Sequence, residues 1–188
     1  MNIQESLNRL KEGNERFVTD SLDGKLQDNS RRNTLVGGQQ PYAIILSCAD
    51  SRVVPELAFD AGLGELFIIR VAGNVANSSS IASIEYAVAH LGSKLIVVMG
   101  HQSCGAVTAA VAGGDNGPNL NHLLEHIKPA ISASEEGAAI NDVTKKNVEL
   151  TAEELVNKSE IIKNAVDKGD VKITHAYYNL DSGRVDFN

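Results

Sequence analysis

Lys94-Leu-Ile-Val-Val-Met-Gly100, running straight into His101-Gln-Ser-Cys104 and then Gly105-Ala-Val-Thr-Ala-Ala-Val-Ala112, is the stretch that decides the fold. Its first part is a short, continuous apolar run, the pattern of a strand buried on both faces rather than on one. Its last part is small and apolar, suited to a closely packed helix, and ends at Gly113-Gly114. The same pattern recurs on the N-terminal side. Tyr42-Ala-Ile-Ile-Leu-Ser-Cys48 follows Pro41, and Glu65-Leu-Phe-Ile-Ile-Arg-Val-Ala72 is closed by Gly73-Asn74. Between these strands and the first, Ser79 to Leu91 places Ile81, Ile84, Ala87, Val88 and Leu91 on one helical face, with Gly92 as its C-cap. Uniformly apolar strands connected in this order predict an α/β fold with a mostly parallel central sheet covered by helices.

The flanks complete the plan. Ile3, Leu7, Leu10, Phe17 and Val18 predict an amphipathic helix, and residues 19–39, polar and broken by Asp23-Gly24 and Gly37-Gly38, predict a loop or irregular arm. Residues 1–39 therefore read as an N-terminal helical arm and 40–188 as the α/β core of a single domain, 1–188. Residues 119–168 read as two or three helices with a break near Glu135-Glu-Gly137. Val171 to Phe187 reads as a C-terminal edge strand or hairpin turning at Asp181-Ser-Gly183. A chain of 188 residues with 43% hydrophobic content can bury a sizeable core. Its 17 basic against 24 acidic residues give a net charge of −7, with no Lys/Arg-rich run, which argues against a nucleic-acid partner. No stretch reaches the roughly 18 apolar residues of a membrane helix. The polar start carries no signal-peptide pattern, so a cytoplasmic location is expected.

Chemistry gathers at the carboxyl ends of two of these strands, the edge where open α/β sheets bind ligands. Cys48 is followed by Ala49-Asp50-Ser51-Arg52, and His101 stands three residues before Cys104. Two thiols, one imidazole and one carboxylate (Cys48, Asp50, His101, Cys104) are zinc ligand types and would fill a tetrahedral site. Residues i and i+2 of an extended segment point the same way, so Cys48 and Asp50 can face one metal. A disulfide, or two inert core thiols, would use the same cysteines, but a disulfide is disfavoured in a reducing cytoplasm. Arg52 can hold Asp50 in a bidentate, charge-assisted pair, leaving the fourth metal position to water. Otherwise Asp50 swings onto the metal and closes it.

Cys48-Ala-Asp-Ser-Arg52 with Gly100-His-Gln-Ser-Cys-Gly105 resembles the β-class carbonic anhydrases over about Leu7 to Ala112, and less sharply beyond. The resemblance implies zinc-dependent, reversible hydration of CO2 to bicarbonate and a proton, a carbonate dehydratase working through zinc-bound hydroxide. It also implies a homodimer or dimer of dimers. Gln39, Phe67 and Tyr86 match positions lining the substrate pocket of the plant-like subgroup. Tyr86 and His90, an i, i+4 pair on one helix face, match residues that move the proton to solvent, with Tyr86 approaching the partner's pocket. The bicarbonate-regulated subgroup has tryptophan three residues before the first cysteine. Ile45 stands there, and the chain has no tryptophan, so the plant-like subgroup, with Asp50 paired to Arg52, is favoured. A carbon disulfide or carbonyl sulfide hydrolase on the same fold and ligands is the alternative enzyme. A structural zinc site would explain neither Arg52 nor Gln39, and a nucleotide site lacks its glycine-rich loop. His122 and His126 read as one solvated helix face.

Overall fold

The computed structural model describes residues 1–188. Nine helices and five strands follow in order: α1 (Ile3–Val18), α2 (Asn29–Leu35), β1 (Ala43–Ser47), α3 (Pro55–Ala58), β2 (Leu66–Arg70), a 3-10 turn (Ala72–Asn74), α4 (Ser78–Leu91), β3 (Leu95–His101), α5 (Gly105–Ala112), α6 (Pro118–Glu125), α7 (Lys128–Ser132), α8 (Ile140–Lys158), α9 (Glu160–Asp167), β4 (Lys172–Tyr178) and β5 (Val185–Phe187). The sheet order is β2-β1-β3-β4-β5. The pairs β1–β2, β1–β3 and β3–β4 are parallel, and only β5 runs antiparallel, along β4. The C-terminal element is thus a hairpin whose first arm joins the parallel sheet.

Both faces of the sheet are covered, as continuous apolar strands require. Ile45, Leu95, Val97 and Met99 point to one face, where Leu7 and Leu10 of α1 and Ala58 and Phe59 pack on them. The alternate residues Ile44, Leu46, Ile96 and Val98 point to the other, against Ile81 and Ile84 of α4 and Val148 and Leu155 of α8. Two expectations about helices are corrected. The polar stretch 19–39 contains α2, because the Asp28 carboxylate accepts the Arg31 amide and caps a short helix. Residues 119–168 form four helices (α6, α7, α8 and α9) instead of two or three. The extra division falls at Ser159, which ends α8 and caps α9 by accepting the Ile162 amide.

The arm is divided in its behaviour. Helix α1 is seated on its own sheet: Leu10 is fully buried, and Asn14 donates to the Ala58 and Gly183 carbonyls while accepting the Val185 amide. Residues 19–40 lie exposed, apart from the half-buried Arg31 and Leu35. Asp60 fixes where this segment leaves α1. Its carboxylate takes Arg16 Nε at 2.5 Å and the Asp23 and Gly24 amides at 2.9 and 3.2 Å. Burial alone would push the Asp60 carboxyl up, but Arg16 and the two amides offset this and hold it below its ordinary value. Its stabilisation is complete above the unfolded carboxylate pKa, about 3.9, and is lost as pH falls through the lower folded value. Asp60→Asn is expected to cost roughly 1–3 kcal/mol at neutral pH in urea unfolding. The gap to wild type should close once the pH is below the folded value, and an equal gap at both pH values would contradict the ion-pair account.

Candidate metal centre

From β1 the chain turns to β2 on one side, and from β3 it proceeds towards β4 on the other. The connections therefore part between the carboxyl ends of β1 and β3, the switch point where such sheets open a crevice. Cys48 directly follows β1, His101 ends β3, and Cys104 is the N-cap of α5. The ligand atoms of Cys48, His101 and Cys104 all lie within 4.8 Å of one another, and all three residues are buried. The thiols are free, not joined in a disulfide.

The donor chemistry fits a zinc ion. His101 Nδ1 lies 2.9 Å from the Gln102 carbonyl oxygen, which assigns the proton to Nδ1. That leaves Nε2 with a free lone pair, buried and without any hydrogen-bond partner. Such an orphan costs about 1–3 kcal/mol unless something binds it. The thiols point the same way. The neighbouring Cys104 thiol, with help from the Gly73 amide at 3.3 Å, holds the Cys48 thiol well below its ordinary value against the effect of burial. The adjacent Cys48 sulfur and burial push the Cys104 thiol up. One thiolate forms readily and the second needs a cation beside it, which a divalent thiophilic metal supplies.

Asp50 stands next to this trio but outside it. Arg52 grips its carboxylate with Nε on Oδ1 at 2.9 Å and Nη2 on Oδ2 at 2.8 Å, and the Arg52 amide adds a third bond at 2.9 Å. The guanidinium holds the Asp50 carboxyl far below the ordinary carboxylate range. Asp50 Oδ2 is 3.9 Å from His101 Nε2, too far for a hydrogen bond.

Several supporting residues escape a reading of the sequence. Arg70, at the end of β2, donates to the Cys48 and Asp50 carbonyls at 3.1 and 2.6 Å and fixes the loop after β1. Asn147 of α8 donates to the Gly73 carbonyl at 2.8 Å, holding the turn whose amide faces Cys48. Gln102 Oε1 accepts the Leu180 and Asp181 amides at 2.9 and 3.3 Å, and Ser103, at φ 56°, donates its amide to Asn141. The one local signal was the Gly73-Asn74 break. Gly73 has φ +70°, and a Cβ there would lie 2.8 Å from Ile127 Cδ1. Gly73→Ala is therefore expected to pull the amide off Cys48 and weaken zinc binding by about 10–100-fold. Competition with a chromophoric chelator measures this, and unchanged affinity would count against the role of the amide.

The remaining sequence candidates gather elsewhere. Gln39 is exposed just before β1, beside a cavity of about 810 Å³ that Arg9, Arg31 and Lys94 also line. That is the amino edge of the sheet, opposite to Cys48. Phe67 pairs with Ile44 near the start of β2. Its ring centroid is 6.2 Å from that of Tyr86, which in turn is 5.2 Å from that of His90. Tyr86 is 49% exposed, so this aromatic set opens outward from α4.

A doubly covered parallel sheet with two thiols and an imidazole converging at its switch point defines a zinc-binding α/β protein. The carbonic anhydrase family profile matches residues 43–185. Carbonic anhydrase 2 of Mycobacterium tuberculosis is 39% identical over 181 residues, covering 93% of this chain and 87% of that protein. The chain belongs to the carbonic anhydrase family. Among solved structures, the β-carbonic anhydrase of Coccomyxa superposes with a TM-score of 0.73 at 27% identity, covering 96% of this chain and 85% of that one. A tetrameric β-carbonic anhydrase of Sordaria macrospora shares the fold with a TM-score of 0.75 at 23% identity, covering 97% and 96%.

Proposed function

We propose that the chain is a carbonate dehydratase that reversibly hydrates CO2 to bicarbonate and a proton at a zinc ion held by Cys48, His101 and Cys104. The observation that carries this is the buried, unpartnered Nε2 of His101 facing two free thiols. When bound, zinc supplies a Lewis acid that lowers the pKa of water towards about 7. Asp50, with both oxygens steered by Arg52, acts as a fixed hydrogen-bond acceptor that orients the attacking water on CO2. Arg52 acts through Asp50. This pairing supports the plant-like subgroup, in which Asp50 stays off the metal.

Gln39, Phe67, Tyr86 and His90 serve the site across a two-fold axis. The whole of β1, about 16 Å of strand, lies between Gln39 and Cys48, so Gln39, beside Ser93 and Lys94, lies at the wrong edge of its own sheet to meet its own Cys48. In a partner, Phe67 and Tyr86 give an apolar wall suited to CO2, and the Gln39 amide donates to a CO2 or bicarbonate oxygen. The exposed segment 19–40, with Val36 88% exposed, supports a homodimer or dimer of dimers. Residues 1–188 act as one domain, with α1 packed on the core formed by 40–188. No helix is long and apolar enough to cross a membrane.

Stopped-flow CO2 hydration by zinc-loaded protein near about pH 8 tests the reading. It should be run beside a carbon disulfide assay, since hydrolysis of carbon disulfide or carbonyl sulfide is the alternative, one that relatives named carbonic anhydrase do not favour. No CO2 hydration with zinc fully loaded would defeat it. For the proton path, His90→Ala is expected to lower kcat about tenfold in dilute buffer, some 1.4 kcal/mol of barrier, with kcat/KM unchanged. Added imidazole should restore it, and a loss that imidazole does not restore would remove His90 from the path.

A further inference from the structure

On the far side of α8 from the sheet lies a second set of metal-ligand side chains. His122 and His126 sit one turn apart at the end of α6, with ring centroids 5.6 Å apart. Across from them, His126 Nδ1 lies 4.0 Å from Oε1 of Glu154 on α8. These residues line an open groove of about 560 Å³, whose charged wall residues are Glu125, Glu153, Glu154 and Lys158. Three carboxylates against one ammonium give the groove a negative field, which draws a cation in. Glu154 pairs with Lys158 and Glu125 with Lys128, leaving Glu153 without an ion pair, and the Glu154 and Lys158 side chains are partly exposed and free to reorient.

We propose that His122, His126 and Glu154 form a second, surface site for a borderline divalent transition metal. Two imidazoles on adjacent helical turns with a carboxylate from a neighbouring helix match what zinc, nickel and copper prefer, and neither magnesium nor calcium favours imidazole. Binding requires the Glu154 carboxylate to leave Lys158 and His122 to turn towards His126. Both moves are rotations of side chains at the surface. The site is chemically distinct from the thiolate centre and weaker, since it is open to water and has no thiolate. It also adjoins that centre: Asn147, which supports Gly73, lines the same groove.

The test is calorimetric titration with Ni2+ of untagged protein holding one zinc per chain, any weakly bound zinc having been dialysed away, with zinc content measured before and after. Wild type should take up about one further Ni2+ per chain while keeping its zinc, because a site with two thiolates prefers zinc. H122Q/H126Q should lose that equivalent, with circular dichroism, zinc content and CO2 hydration unchanged. E154Q should weaken it. No nickel uptake by wild type, undiminished uptake by H122Q/H126Q, or undiminished affinity in E154Q would each overturn the three-ligand assignment. None of these outcomes depends on whether the thiolate centre hydrates CO2.

Discussion

Cys48→Ser is expected to abolish zinc binding and CO2 hydration together. Serine is nearly isosteric, so the fold is kept and only the ligand changes. A hydroxyl remains protonated at neutral pH and is a poor partner for zinc, whereas the Cys48 thiol is held far towards its thiolate by the Cys104 thiol and the Gly73 amide. Removing a direct ligand should cost more than the roughly 100-fold that changes in supporting residues reach. Metal analysis after dialysis and stopped-flow assay of the same sample check it. Activity that persists without zinc would contradict the proposed chemistry, and zinc retained in full would take Cys48 out of the ligand set.

Arg52→Ala is expected to leave zinc in place and lower kcat/KM by about 100-fold, the lower end for a misplaced acid–base group. The reason is geometric. Without the guanidinium, Asp50 loses two of the three donors that fix its carboxylate, and its Oδ2, now 3.9 Å from His101 Nε2, is free to turn towards the ligand cluster. Arg52→Lys restores the charge but not the fork, so it should recover only part of the rate. Full activity in Arg52→Lys would reduce the pair to simple charge neutralisation. Loss of zinc in Arg52→Ala would make Arg52 a structural support instead.

The sheet was legible because its three apolar runs, 42–48, 65–72 and 94–100, are uninterrupted and each ends in a breaker or a polar motif. The ligands were legible because Cys48 and His101 fall at strand ends, where strand pairing alone brings them together. Short helices were not: α3 is a single turn opened by Pro55, and α2 buries no residue, so neither leaves an apolar period. The division at Ser159 has no glycine or proline to announce it. Arg70 and Asn147 were invisible for another reason. Their contacts span 22 and 74 positions, and an arginine at a strand end or an asparagine in mid-helix looks like any surface residue until the fold closes. Gln39 is the converse case: its spacing from Cys48 is readable, but the full strand between them places it at the opposite edge.

The tie between Gln102 and the amides of Leu180 and Asp181 bears on how the protein comes into being during synthesis. Cys48 leaves the ribosome long before Cys104, and both precede the strands that clamp the His101–Cys104 turn. Strand β4 must add to β3, and its hairpin must close, before Gln102 finds its partners. Distant contacts of this kind form late, so the turn that carries His101 and Cys104 is pinned only after the residues of the β4–β5 hairpin have been made. Until then Cys48 and Cys104 stand in the growing chain without that support.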